Sequence, residues 1–299
     1  MTLGLNTRHT YVSGCVRYHD LAYTASQDDA VPAEVEHSHF HEIDGSNLGY
    51  IGAVTWATAS MAVSKFPHEQ MIAMSAHGEV KLFGSGKQSD EQITTPDGSP
   101  ETRGLLRKLR TIENRTYAVG MGRQVYRREN EDDWRCLDQT IRPAVGEVKG
   151  FESIDGFSSS DIYAVGWDGE IWHFDGQKWD QKSSPTNVVL TSVLCAGDGN
   201  VYIAARQGLL IRGRGDSWES IEHESMDEDI WDLAWYGETL YLSTYRGVFK
   251  LAGDKLVPVD FGADKAWTTY HLSAADGVLW SFGKKDVMAF DGQTWTRVD

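Results

Sequence analysis

The chain has 299 residues, with 28 Lys+Arg against 44 Asp+Glu and a formal net charge of −16. That balance excludes the usual nucleic-acid or anionic-membrane binder, which needs clustered positive charge to meet phosphates, and it leaves basic partners open. Apolar residues make up 40% before the 30 glycines are added, enough for a folded core, and 11 Trp and 12 Tyr beside only 7 Pro point to many short strands joined by tight turns.

From the N-terminus, residues 1–9 show no apolar core after a basic start, and no later run approaches the ~18 apolar residues of a membrane span, so neither a secretory leader nor a membrane partner is expected. Tyr11–Tyr18 followed by Leu21–Tyr23 reads as a hairpin. Next comes His37-Ser38-His39-Phe40-His41. On a strand the period of two puts these three imidazoles on one face, with Glu34, Glu42 or Asp44 nearby as oxygen ligands. Adjacent same-face positions are nearly ~7 Å apart, too far for all three to reach one ion without bending. His37, His39 and His41 are therefore weak metal candidates, and no cofactor is assigned. Cys15, Cys136 and Cys195 are odd in number and far apart, as expected of reduced thiols in a cytoplasmic protein.

Further along, a repeat organises the chain. Its clearest copy is Ile162-Tyr163-Ala164-Val165-Gly166-Trp167-Asp168-Gly169-Glu170-Ile171-Trp172, closed by Asp175-Gly176-Gln177-Lys178-Trp179. Ile72, Tyr117, Tyr163, Tyr202, Tyr241 and Trp280 are equivalent anchors, 45, 46, 39, 39 and 39 residues apart. Eight residues after each anchor stands an apolar residue: Val80, Val125, Ile171, Leu210, Phe249 or Met288. Four copies close on a tryptophan, namely Trp134, Trp179, Trp218 and Trp295. Runs such as Ile-Tyr-Ala-Val, apolar at consecutive positions, suit strands covered on both faces. Each unit holds four strands, and units of ~40 residues built this way predict an all-β β-propeller. Six blades over residues 49–299 are favoured. Seven is the alternative, with residues 1–48 either a degenerate blade or an N-terminal extension. The last copy is complete, so ring closure needs no borrowed strand.

The stretch from Asp161 to Trp179 resembles the bacterial β-propeller repeats of the D-x-Y-A-V-G-x-x-G-x-I-x-H-x-D-G-x-x-W type. The resemblance implies the propeller over about five sixths of the chain and implies no particular activity. Asp175-Gly176 and Asp291-Gly292 also approach the Asp-box of sialidases but lack one residue between Asp and Gly, so they read as turns.

On a propeller, the turns between second and third strands share one rim with the connections between blades. The predicted partner-binding residues on it are Trp167, Asp168, Arg206, Tyr245, Arg246 and Lys284, with His77, Glu79, Met121, Arg123, Gln207 and Lys285 at neighbouring tips. The acidic stretch Glu219, Glu222, Glu224, Asp227, Glu228, Asp229 and Asp232 is expected to add a negative field there that steers a basic partner. No catalytic residue is assigned. There is no G-x-S-x-G elbow, and Gly84-Ser85-Gly86-Lys87-Gln88 fails the P-loop pattern at both ends. These features predict a non-enzymatic, cytoplasmic, protein-binding propeller, monomeric when unbound, most concretely an immunity protein that occludes a bacterial toxin, whose docking domain would be basic. A carbohydrate-binding propeller is the alternative, weakened by tips that differ from blade to blade, and a propeller hydrolase stands behind it.

Overall fold

Ile162-Tyr163-Ala164-Val165 has no polar face, so it must be covered on both sides. In the computed structural model, which describes residues 5–223 and 226–299, it lies in the second strand of a four-stranded antiparallel sheet with all four side chains buried. Seven such sheets form the ring. Blade 1 holds β1 (His9–Tyr18), β2 (Leu21–Asp28), β3 (Ser38–Asp44) and β4 (Asn47–Val54), and blade 2 holds β5 (Thr58–Ser64), β6 (Gln70–Ser75), β7 (Glu79–Gly84) and β8 (Lys87–Gln92). Blade 3 is β9 (Leu106–Ile112), β10 (Arg115–Gly120), β11 (Gln124–Asn130) and β12 (Asp133–Cys136). Blade 4 is β13 (Phe151–Ser158), β14 (Asp161–Gly166), β15 (Ile171–Phe174) and β16 (Trp179–Lys182). Blade 5 is β17 (Leu190–Cys195), β18 (Val201–Ala205), β19 (Leu210–Arg214) and β20 (Ser217–Ser220). Blade 6 is β21 (Asp232–Tyr236), β22 (Thr239–Ser243), β23 (Val248–Ala252) and β24 (Lys255–Pro258). Blade 7 is β25 (His271–Ala275), β26 (Val278–Phe282), β27 (Val287–Phe290) and β28 (Trp295–Arg297).

The ring thus has seven blades, which corrects the favoured count of six. The first 48 residues supply β1, β2, β3 and the start of β4, and residue 49 falls inside β4. Every anchor of the repeat lies on a second strand, every residue eight positions later on a third, and the four closing tryptophans on fourth strands. Those tryptophans pack blades together. The Trp134 indole N–H donates to Glu91 of blade 2 at 3.1 Å, Trp179 to the Leu137 carbonyl at 3.0 Å, and Trp218 meets the Tyr163 ring edge-on at 5.8 Å. The Asp-Gly pairs are turns: Asp175 accepts from the backbone of Gln177 and Lys178, Asp291 from Gln293 and Thr294, and the glycines hold positive φ.

First strands line the axis, each packed on the next around the whole ring, β25 against β1 included. Among the described residues no strand is shared between the chain ends. The seam instead repeats the joints found elsewhere. Tyr11 N–H donates to the Lys284 carbonyl at 2.9 Å as Leu106 does to Ala76 at 2.8 Å, and Val16 N–H donates to Ser273 Oγ at 3.0 Å as Leu109 does to Ser60 and Val193 to Ser153. Blades 2 and 3 are further tied by a buried ion pair, Arg128 with Glu91, in which both side chains are almost wholly enclosed.

Candidate functional site

The axis is blocked part-way down. Lys108 on β9 and Asp232 on β21 belong to blades three places apart, and the ammonium reaches the carboxylate at 3.1 and 3.2 Å across the channel. Asp232 also accepts from Ser192 Oγ at 3.1 Å and from Leu272 N–H at 3.2 Å, with His271 Nδ1 3.6 Å away. Burial alone would raise this carboxyl, but Lys108, His271 and the Leu272 N–H outweigh it and hold the group well below the usual carboxylate range. Beside it Arg110 grips Asp155 through two 2.9 Å bonds. Above this floor lies a blind pocket of about 330 Å³ lined by Arg107, Lys108, Glu152, Arg206, Trp231, Tyr270 and His271, among others.

Around the pocket's mouth the loops carry aromatic and apolar side chains. Tyr245 and Tyr270 stack with ring centres 5.0 Å apart and planes 4° off parallel, and Trp231 meets both at 5.2 and 5.4 Å. Lys284 Nζ stands over the Tyr245 ring at 5.4 Å. Among the described residues ten large apolar side chains are well exposed, and six of them, Val35, Leu105, Val145, Val148, Tyr245 and Trp267, occupy loops of this one rim. Tyr18 and Phe66 lie at the opposite rim, and Tyr50 and Val257 on outer strands.

This chain is 45% identical over 295 residues to the immune protein Tsi7 of Pseudomonas aeruginosa strain PAO1, covering 96% of each chain. The chain belongs to the Tsi7 immune-protein family. For a member of this family the protein-binding, non-enzymatic reading stands, and the lectin and hydrolase alternatives have no comparable support. No protein-family model matches the chain. Solved structures add the fold alone. Virginiamycin B lyase from Staphylococcus aureus superimposes with a TM-score of 0.71 at 8% identity over 97% of this chain and 96% of that one. YCF48 bound to D1 peptide does so with 0.67 at 13% identity over 95% and 92%.

On this Tsi7-family scaffold the rim residues expected from sequence differ in how free they are. Arg206 and Lys284 are exposed, and Tyr245 is 42% exposed. Arg246 pairs with Glu228 at 3.3 Å and Asp168 with Lys149 at 2.5 Å. Trp167 is half-buried, its indole N–H donating to Glu152 at 2.7 Å, so it is not the free projecting aromatic its turn position suggests. Arg123, in the turn between β10 and β11, is spent on Glu170 of the neighbouring blade 4, over the Trp172 ring.

The acidic stretch does not form one field on the rim. Glu219 pairs with Arg212 on the outer edge, Asp232 is the channel floor, and Asp229 caps the Gln207 N–H at 2.9 Å. Glu222 and His223 line an outer groove with residues 252–258. Asp227 is exposed and Glu228 partly so, while Glu224 lies outside the described residues. Neither do the histidines make a metal centre: no group of three or more His, Cys, Asp or Glu among the described residues is set to hold an ion. His37 spends both nitrogens, accepting from the Asp28 N–H and donating to the Val35 carbonyl, while His39 and His41 stack around His9 and Tyr50. Sequence reasoning missed Arg107, Lys108, Glu152, Tyr270 and His271. The available signal was Arg107-Lys108-Leu109-Arg110, three cations in a first strand, where the repeat otherwise calls for apolar and small residues.

Proposed function

We propose that the protein is a cytoplasmic inhibitor that docks a cognate bacterial toxin on its loop rim and covers the toxin's working surface. Kinship to an immune protein supports the inhibitory role. The observation that carries the choice of face is the gathering of Val35, Leu105, Val145, Val148, Tyr245 and Trp267 there. Apolar groups standing in water on a rigid rim gain free energy once a partner covers them, and aromatic anchors near the centre dominate such interfaces. Trp167, Asp168, Arg206, Tyr245, Arg246 and Lys284 supply the turns, and Asp227, Glu228 and Asp229 the local carboxylates. A net charge of −16 favours a basic toxin domain, drawn in at long range. Free Cys15, Cys136 and Cys195 suit a reducing compartment, and the unbound protein is a monomer.

Co-expression with the toxin encoded by the neighbouring gene tests this. A 1:1 complex and protected cells are expected. Trp267→Ala combined with Val148→Asp should weaken the complex on the order of 30-fold or more while leaving thermal unfolding unchanged. Cells left unprotected, or a complex indifferent to these substitutions, would remove the reading.

A further inference from the structure

The axial pocket contains donors without acceptors. Arg107 Nε and Trp231 Nε1 are both buried with no hydrogen-bond partner among the described residues, and both side chains line the pocket. Neither group can accept, so what each lacks is an acceptor. The nearest carboxylate, Glu152, is 3.6 Å from Arg107 Nε, too long for a hydrogen bond, and its Oε1 already takes the Trp167 indole N–H at 2.7 Å. Arg206 lines the same pocket as an exposed guanidinium. Asp232 is not available to these donors, being held at the floor by Lys108, Ser192 and Leu272.

With Lys108 spent on Asp232 at the floor, two further cations, Arg107 and Arg206, line this cavity against Glu152 as its lining carboxylate, in a chain whose net charge is −16. Leaving buried donors unpaired costs free energy, and an anion with two or more oxygens would recover it through charge-assisted bonds. The cavity's roughly 330 Å³ admits one side chain and excludes a folded element. It also sits at the centre of the rim, where interface anchors cluster.

We propose that the axial pocket is the receptor for one acidic side chain of the docked protein, its carboxylate taken by Arg107, Arg206 and the Trp231 indole N–H. This rests on the loop rim being the docking face. A basic partner carried by long-range attraction would thereby be fixed in register by a single charge of the opposite kind, which separates attraction from specificity.

The test uses the full chain, ¹⁵N-labelled, and follows the Trp231 indole resonance, assigned with Trp231→Phe. The probe is N-acetylglutamate methylamide, which carries one side-chain carboxylate, with the glutamine analogue as neutral control. A saturable shift with the glutamate compound alone, lost in Arg206→Ala and in Arg107→Gln, is expected at concentrations up to about 100 mM, the range of a single isolated contact. An equal shift with the glutamine compound, or no saturable shift, overturns the receptor. Saturation below about 10 μM would mark a small-molecule carboxylate site and overturn the docking assignment. In the toxin complex the same resonance should move, and Arg206→Glu should weaken binding at least tenfold. A tight complex that leaves the Trp231 resonance unmoved and ignores Arg206→Glu overturns the receptor while the rim reading survives; absence of any complex overturns the rim reading instead.

Discussion

His41 shows how a single buried side chain sets a pH limit on the whole seam region. Its Nδ1 is buried without a partner among the described residues, and burial, followed by the neighbouring charges of His9 and His39, pushes its pKa down to about 4. In the unfolded chain the imidazole titrates near its ordinary 6.5, so between those values the unfolded state binds the additional proton. The stabilisation from neutral burial is thus complete above about pH 6.5 and is lost as pH falls toward 4, a difference of about 3 kcal/mol from the size of the shift. His9, shifted in the same direction by burial and by His39, adds to it. Urea unfolding at pH 7 and pH 4.5 should show this loss, and His41→Phe should flatten that part of the profile. An unchanged slope in the variant would mean that His41 does not titrate in this window. The H-x-H-x-H pattern was legible in the sequence and its shared face largely correct. What could not be read there is that His9, twenty-eight residues before His37, completes the cluster and that His37 turns both nitrogens to backbone.

Among the elements, β9 is the one whose composition breaks the pattern of the others. The other first strands carry at most one Lys or Arg each, while β9 sets Arg107, Lys108 and Arg110 between buried Leu106, Leu109 and Ile112. Those cations face the axis, where Lys108 reaches across to β21 and Arg110 to β13. Replacing Lys108 by Met would strand the Asp232 carboxylate in a buried site with neutral donors, His271 and, through its field alone, the Arg110 guanidinium that is already bonded to Asp155. Removing one partner of such a pair costs about 3 kcal/mol, and urea unfolding at pH 7 should register it. The sign with pH is opposite in wild type and variant. The depressed Asp232 pKa gives stability that is present above the ordinary carboxylate value and fades as pH falls, whereas without Lys108 that contribution disappears and the neutral acid is favoured. A Lys108→Met protein as stable as wild type at pH 7 would show that the cross-channel pair contributes nothing. Blade 1 illustrates the limit of reading elements by period. Tyr23 on β2 holds the anchor position, 49 residues before Ile72, but eight residues later stands Val31, in the connection at 29–37 rather than on a third strand. That long connection hides the blade because the other copies turn within a few residues at the same place. Once two-strand spacing is lost, only packing against Phe83 and Trp56 on one side and blade 7 on the other declares the sheet.

At the scale of the whole ring, the issue is how a propeller closes when no blade mixes strands from both chain ends. Here blade 7 meets blade 1 through an apolar cluster that includes Tyr11, Val16, Ala22, Ile43, Val278, Trp280 and Phe282, and through the same two backbone joints that other blades use. Lys285 adds a clasp, donating to the His9 carbonyl at 2.8 Å and to Asp29 at 2.5 Å. Closure therefore depends on fit, and the tightest point is Gly14, where a Cβ would lie 2.3 Å from the Phe282 ring. Backbone and ring cannot both stay in place around an added methyl. Gly14→Ala should destabilise by about 1–3 kcal/mol, the usual cost of overpacking. Because the offending contact spans the seam, the loss should appear as earlier exchange of amides in β1 and β25 than in blades 3 to 5, ahead of global unfolding. Phe282→Ala in the same chain removes all the ring atoms that meet that Cβ, so the double variant should be more stable than the sum of the single effects requires. Strictly additive losses, or exchange that rises uniformly around the ring, would show that the seam is no weaker than any other joint and that Gly14 is not where closure is decided.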